Sequence, residues 1–264
     1  YGFCRRLLDS GYPPTLFLTP ASAEMHAPLI EELSAGGAEA GLLLQPHSLH
    51  GGAKRYLGQL DRDHQREVIA VAVRSFECAV GRRPRYARSA MFSASDDTFP
   101  LLREHGVLQG SFSVPGRRVK KHAAVWTGAP SDPHYVDPND RLKPGSLQFL
   151  EVPVTADPSR VVGGLSSDLM LEHGAFDTWH RPLLDGQLAR MRSADAPFSI
   201  VCSYTSSACP YDVEDHVPTM TLRAILAYLD QLEDRFDVRP VTLAMAHAAY
   251  GRTSITPTSK DATG

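Results

Sequence analysis

The 264-residue chain contains no apolar run approaching the roughly 20 residues of a membrane-spanning helix. It also lacks any long block of one charge sign. Twenty-seven Lys and Arg against 30 Asp and Glu leave a formal net charge of −3, so there is no electrostatic footprint for nucleic acid or an acidic membrane surface. A small or neutral partner is expected. Cysteine is scarce: Cys4, Cys78, Cys202 and Cys209 show neither C-x-x-C spacing nor the density of a stapled secreted fold, which predicts reduced structural thiols and no zinc knuckle. No signal-peptide pattern opens the chain, which favours a cytoplasmic setting. The serines of Thr205-Ser206-Ser207 lack a G-x-S-x-G elbow, which argues against a serine hydrolase.

What is present is enough for an ordinary core: 42% apolar residues, including ten phenylalanines and two tryptophans. One domain over residues 1–252 is expected, with a disordered tail over 253–264. Helical and strand-like segments alternate. Residues 2–10 read as the end of a helix closed by Gly11, Thr15–Thr19 as a strand, and Ala23–Leu33 as a helix. Gly36–Gly51 holds a short apolar strand that delivers His47 and His50 just past its carboxyl end, where α/β folds collect ligands and catalytic groups. Val68, Ala72, Val73 and Phe76 recur at helical spacing within 62–80, Tyr86–Ser89 reads as a strand, and Thr98–His105 as a capped helix.

Gln109–Val114 and Leu147–Val154 are strand-like and enclose residues 115–147, a polar stretch too long for a plain connection and expected to cover a pocket mouth. A helix over 183–194, a strand over Phe198–Ser203, a helix over 218–233 striped by Leu222, Ile225, Leu226, Leu229 and Leu232, and a strand over Arg239–Leu243 complete the pattern. About seven strands separated by helices predict a parallel α/β barrel or doubly wound sheet. Glu151, in an apolar strand, needs a partner if buried, and Arg88 is the candidate. His180, His216 and His247 read as scattered residues, either at the surface or one layer behind a site.

Several segments together resemble the polysaccharide deacetylases, the NodB-homology superfamily that includes carbohydrate esterase family 4. TLFLTP resembles the family's A-T-F-F-V strand, GAEAG its G-H-E-I-G, and GRRPRYARS followed by SASDDTFPLLREHGV its G-x-x-P-x-x-F-R and following helix. SFSVPG, FLEVPVT and the closing VTLAMA fall where such sequences carry D-S-S-x-x-P-G, L-x-E-V-P-V and V-T-L. The resemblance implies a distorted (β/α) barrel and a hydrolase acting on an acylated amino sugar or related C–N bond. In the family, a divalent metal held by an aspartate and two histidines polarises the acyl carbonyl and activates water.

In that register the first histidine falls on Leu43 and the second on His47, with His50 as a substitute ligand. Tyr1 falls on the helix after the family's first strand, so that strand and its Asp-Asp pair are expected upstream of residue 1. No tightly bound metal is therefore expected from these residues; zinc would require the upstream aspartates. Arg88 matches the arginine that holds the catalytic carboxylate, while the late histidine of the family falls near Ser203 to Ser206, where there is none. Trp126, His134 and Tyr135 are the candidates for stacking on a sugar ring. The alternative is a catalytically inactive barrel that binds a saccharide or a protein partner.

Overall fold

A computed structural model describes residues 1–49, 54–194 and 198–253. In chain order the elements are α1 (Gly2–Asp9), β1 (Thr15–Leu18), α2 (Pro20–Met25), α3 (Ala27–Ala35), β2 (Glu39–Leu44), α4 (Arg62–Val80), β3 (Tyr86–Ser89), α5 (Thr98–Glu104) and β4 (Gln109–Gly110). There follow β5 (Arg118–Val119), β6 (Ala124–Val125), β7 (His134–Tyr135), β8 (Leu150–Glu151), β9 (Ala156–Val162), β10 (Leu165–Asp168), α6 (Arg181–Ser193), α7 (Val217–Leu232) and α8 (Leu243–Thr253). The main sheet has the order β1-β2-β3-β4-β8-β7. Its first five strands are parallel and β7 closes the edge antiparallel to β8.

The helices form where the sequence supplies both stripe and caps. In α4, Asp61 accepts from the His64 amide at the first turn, Gly81 takes the left-handed closing position at φ 75°, and Ile69, Ala72, Val73 and Phe76 are buried between them. That stripe packs with Ala40, Leu42, Leu44, Ala87 and Phe112 in the largest core cluster, on the helix-covered face of the sheet. Fully burying side chains of this size contributes roughly 1.5–3 kcal/mol each. The opposite face is covered by a smaller cluster in which Leu150, Val152 and Leu243 meet Phe17, Tyr86, Ile200 and Tyr250.

Three expectations are corrected. The helix read over Ala23–Leu33 is two helices meeting at His26, because Pro28 has no N–H to donate to the carbonyl four residues earlier and its ring crowds that carbonyl, so the chain restarts with Pro28 in the first turn of α3. Phe198–Ser203 does not join a ladder: Cys202 accepts from the Thr155 amide, but its own N–H goes to the Thr155 hydroxyl, and only Tyr204 forms a bridge, to Met170. Arg239–Leu243 is also no strand. Pro240 lacks a ladder donor, Thr242 accepts from the amides of Ala246 and Met245, and Leu243 begins α8 with its amide on the Thr15 hydroxyl. The sheet therefore holds five parallel strands among the described residues, fewer than the seven expected.

The β9–β10 hairpin was not anticipated. It turns at Gly163-Gly164, both at positive φ, and ends with Asp168 fully buried. The 253–264 tail lies outside the described residues apart from the last residue of α8.

Candidate functional site

The parallel register aligns Leu43 with Arg88 and Leu44 with Ser89, so the ends of β2 and β3 open on one edge of the sheet. His47 follows β2 on that edge, and Arg88 stands next to last on β3. Arg88 donates Nε to the Ser111 carbonyl at 2.9 Å and Nη2 to the Ser111 hydroxyl at 2.8 Å. Its guanidinium lies 4.8 Å from the Phe17 ring centre, 5.2 Å from Phe92 and 5.6 Å from Tyr204. Burial lowers its pKa, and the rings and nearby Cys202, Tyr204 and Glu151 sustain the cation.

Phe92 also carries a second arginine. Arg117 lies 4.6 Å over the same ring and is buried, with its Nη2 donating to Asp168 at 2.7 Å and to the Tyr204 hydroxyl at 3.1 Å. The Asp168 carboxylate takes further bonds from the Met170 amide and from His173 Nδ1, each at 3.1 Å. Burial acts to raise the Asp168 pKa, but the His173 bond and the charge of Arg117 hold it below the usual carboxylate range. Burial pushes Tyr204 up to about 12, which keeps it a hydroxyl donor at neutral pH. His173 is the part of this network that reaches solvent: its side chain is 36% exposed, it stands edge-on to Trp179, and its Nε2 has no protein partner among the described residues.

The backbone that presents Phe92 is itself unusual. Met91 and Phe92 both adopt positive φ, 57° and 60°, in consecutive non-glycine residues. Such conformations cost on the order of 1 kcal/mol each and persist where packing over-determines them, as the two arginines and Tyr204 do around this ring.

The sequence-based candidates fare unequally. His47 is exposed, takes the Gln45 side-chain amide on Nε2 at 2.5 Å, and stands edge-on to Tyr56. His50 lies outside the described residues. Among the described residues, no three His, Cys, Asp or Glu side chains gather as a metal-binding group. His47 and Leu43 thus do not by themselves fit the ligand set that the resemblance implies.

Trp126 must be corrected as a sugar platform. It is 0% exposed, with its ring against Phe99 and its Nε1–H on the Phe92 carbonyl at 2.9 Å. His134 is likewise buried; its Nδ1 contacts the Asp132 carbonyl at 2.9 Å, and burial lowers its pKa. Tyr135 is partly exposed but packs edge-on to Tyr250. Residues 115–147 are tied down by this burial and by the two-pronged Arg190–Asp132 pair at 2.7 Å to α6.

Glu151 does not pair directly with Arg88. Its Oε1 accepts from the amides of Phe112 and Ser113 and from the Ser113 hydroxyl, at 2.7–2.8 Å. Burial raises its pKa against those bonds. His180, expected either at the surface or one layer behind a site, is buried on the Met170 carbonyl.

Sequence reasoning missed Arg117, Asp168 and His173. The one local signal was Gly163-Gly164 between Val161-Val162 and Leu165, a two-residue hairpin turn that would have placed Asp168 at a strand end.

No protein-family model matches the sequence, and no curated protein matches it either. Solved structures do match. A protein described as a polysaccharide deacetylase from Mycobacterium smegmatis aligns over 97% of this chain and 78% of its own, at 17% identity and a TM-score of 0.59. A second protein so described, from Pseudomonas aeruginosa PAO1, aligns over 95% and 72% at 16% identity and a TM-score of 0.58. The PuuE allantoinase aligns over 96% and 72% at 15% identity and a TM-score of 0.57. Identities this low speak to architecture, and function must be argued from the site. The chain shares the NodB-like fold of these structures, a distorted α/β barrel with a mostly parallel central sheet.

Proposed function

We propose that the chain is a deacetylase-like hydrolase acting on an acylated amino sugar or related C–N bond, with the metal-binding part of the site altered or lost. The observation that carries this reading is the Asp168–His173 pair. A fully buried carboxylate, itself held by Arg117, orients a partly exposed imidazole whose second nitrogen has no protein partner among the described residues. That is the arrangement a general acid–base needs. Where the resemblance has its late histidine, this chain has Tyr204, and the segment bonded to Tyr204 through Leu169 and Leu171 continues directly to His173. The imidazole thus reaches the same edge from the neighbouring strand-like segment.

In the proposed reaction His173 Nε2 accepts a proton from water as its oxygen adds to the acyl carbon. The C–N bond then breaks as the same proton passes to the leaving nitrogen, giving a carboxylic acid and an amine. Arg88 and Arg117 place positive charge at this edge, where negative charge on the acyl oxygen develops. No step is routed through a metal, because the described residues do not assemble a ligand set; a divalent ion such as zinc would need ligands from outside them.

The second reading, an inactive barrel that binds a saccharide or protein partner, is favoured by one observation: Leu43, opposite Arg88 in the register, stands where the resemblance has a metal-binding histidine. Acetate release from N-acetylated chito-oligosaccharides and ammonia or amine release from small amides separate the two. Hydrolysis lost in His173→Ala and in Arg88→Lys, with unfolding temperature retained in His173→Ala, supports the first. Saccharide binding without turnover, with or without added divalent metal, supports the second and rejects the first.

A further inference from the structure

The rim beside this edge is basic and aromatic, and the proposed reaction makes no use of it. The Tyr56 and His122 rings meet at a tilt of 59° with centres 4.6 Å apart, and His47 stands edge-on to Tyr56 at 6.4 Å. Gln59 ties the two segments together by donating to the Lys121 carbonyl at 3.0 Å. Close in sequence to this ring pair are Lys54 and Arg55 on one segment and Arg118, Lys120 and Lys121 on the other, all five exposed. None of the five forms an ion pair among the described residues. The charges acting on the His122 ring, after burial, come from Lys121 and Arg117, both cationic.

This concentration is local, since the whole chain carries a net charge of −3. The rim is also continuous with the candidate site. Gly58 donates its amide to the Ser93 hydroxyl and Ala94 donates its amide to the Ala123 carbonyl, so both rim segments are bonded to the two residues that follow Phe92. Arg118 is next to Arg117, whose guanidinium lies on Phe92.

Unpaired cations around an aromatic pair match a chain that presents regularly spaced anionic groups on sugar rings. Rings stack or pack on the aromatic faces while carboxylates or sulfates meet the ammonium and guanidinium groups. We infer that the Tyr56–His122 rim binds an acidic saccharide, one bearing uronate or sulfate groups, and leads it toward the Arg88–His173 edge. The inference rests on the reading that this edge accepts a saccharide and adds its charge class. A nucleic acid would meet the same cations, but the patch is short and the rest of the chain supplies no basic track to extend it.

The test is binding of fluorescently labelled oligogalacturonate, a sulfated oligosaccharide and neutral chito-oligosaccharide of equal length to the full chain. The acidic ligands should bind about tenfold or more tightly than the neutral one at about 0.05 M salt, and lose about tenfold by about 0.5 M as screening shortens the range of charge. Preference between uronate and sulfate identifies the anionic group. Lys120→Glu with Lys121→Glu, and separately Lys54→Ala with Arg55→Ala, should each weaken acidic binding several-fold. All four side chains are exposed, so the fold should survive, as far-UV circular dichroism would check.

Equal binding of acidic and neutral chains, unchanged binding in both double variants, or tighter binding of single-stranded DNA than of either acidic saccharide overturns the inference. His173→Ala should leave acidic binding intact. If no amide is hydrolysed while salt-dependent acidic binding persists, the hydrolase reading falls and this one stands. Hydrolysis and binding confined to neutral sugars give the reverse.

Discussion

Arg117 and Asp168, 51 positions apart in the chain, meet at 2.7 Å with both side chains buried. Desolvating two charges is costly, and the attraction between them offsets that cost only with good geometry and additional hydrogen bonds. Asp168 has those bonds, from Met170 and His173, and Arg117 has the Tyr204 hydroxyl and the face of Phe92. The pair is thereby the anchor of the hairpin to the carboxyl edge of the sheet.

Removing the anion alone strands the cation. Asp168→Asn should destabilise the fold by about 3–5 kcal/mol, the usual consequence of breaking a buried pair from one side. Urea unfolding measures this, and a loss below about 1 kcal/mol would show that the pair contributes little.

The depressed Asp168 pKa makes a signed prediction. A carboxyl whose folded pKa lies below its unfolded value stabilises the fold above the ordinary carboxylate range, and that contribution is lost as pH falls through the folded pKa. Unfolding temperature should therefore drop on acidification below about pH 4. Asp168→Asn should show a shallower drop over the same range, and parallel curves for the two proteins would contradict the assignment.

Trp126 is a core residue on a long connection. Trp126→Ala should cost about 3–5 kcal/mol, as large aromatic truncations in cores do. Trp126→Phe retains most of the packing and gives up the bond to the Phe92 carbonyl, for about 1 kcal/mol. Thermal and chemical unfolding of the two variants check the order, and an Ala variant with wild-type stability would return the ring to the surface.

Gly58 lets two backbones touch. A Cβ there would lie 2.4 Å from the Ala94 carbonyl carbon and 2.5 Å from its oxygen, and backbone cannot rotate aside. Gly58→Ala should destabilise by about 1–3 kcal/mol and loosen the segment that carries Tyr56. Hydrogen exchange at the Gly58 amide, now bonded to the Ser93 hydroxyl, should rise with it; unchanged exchange and stability would mean that the contact yields freely.

Legibility in the sequence followed the range of the interactions involved. α4 could be read because its apolar stripe repeats at helical spacing within one 19-residue segment, and β3 was placed at Tyr86–Ser89 as observed. Phe198–Ser203 and Arg239–Leu243 have strand composition, but the Thr155 hydroxyl takes one amide and the Thr15 hydroxyl another, across 47 and 228 positions. Composition cannot report such a competitor. Trp126 looked like a loop aromatic for the same reason: the Phe99 ring and Phe92 carbonyl that bury it are remote in sequence.

From sequence alone came the alternation of strand and helix, the order of family-like segments, and Arg88 and His47 at strand ends, because periodicity, caps and turn residues act locally. Tertiary structure alone decided which groups meet. Asp168 became a buried carboxylate only when the Gly163-Gly164 turn returned β10 along β9, and His173 became oriented only by that carboxylate. Charge pairing inside a protein depends on distances of a few ångströms between residues dozens of positions apart, and one-dimensional spacing does not encode those distances.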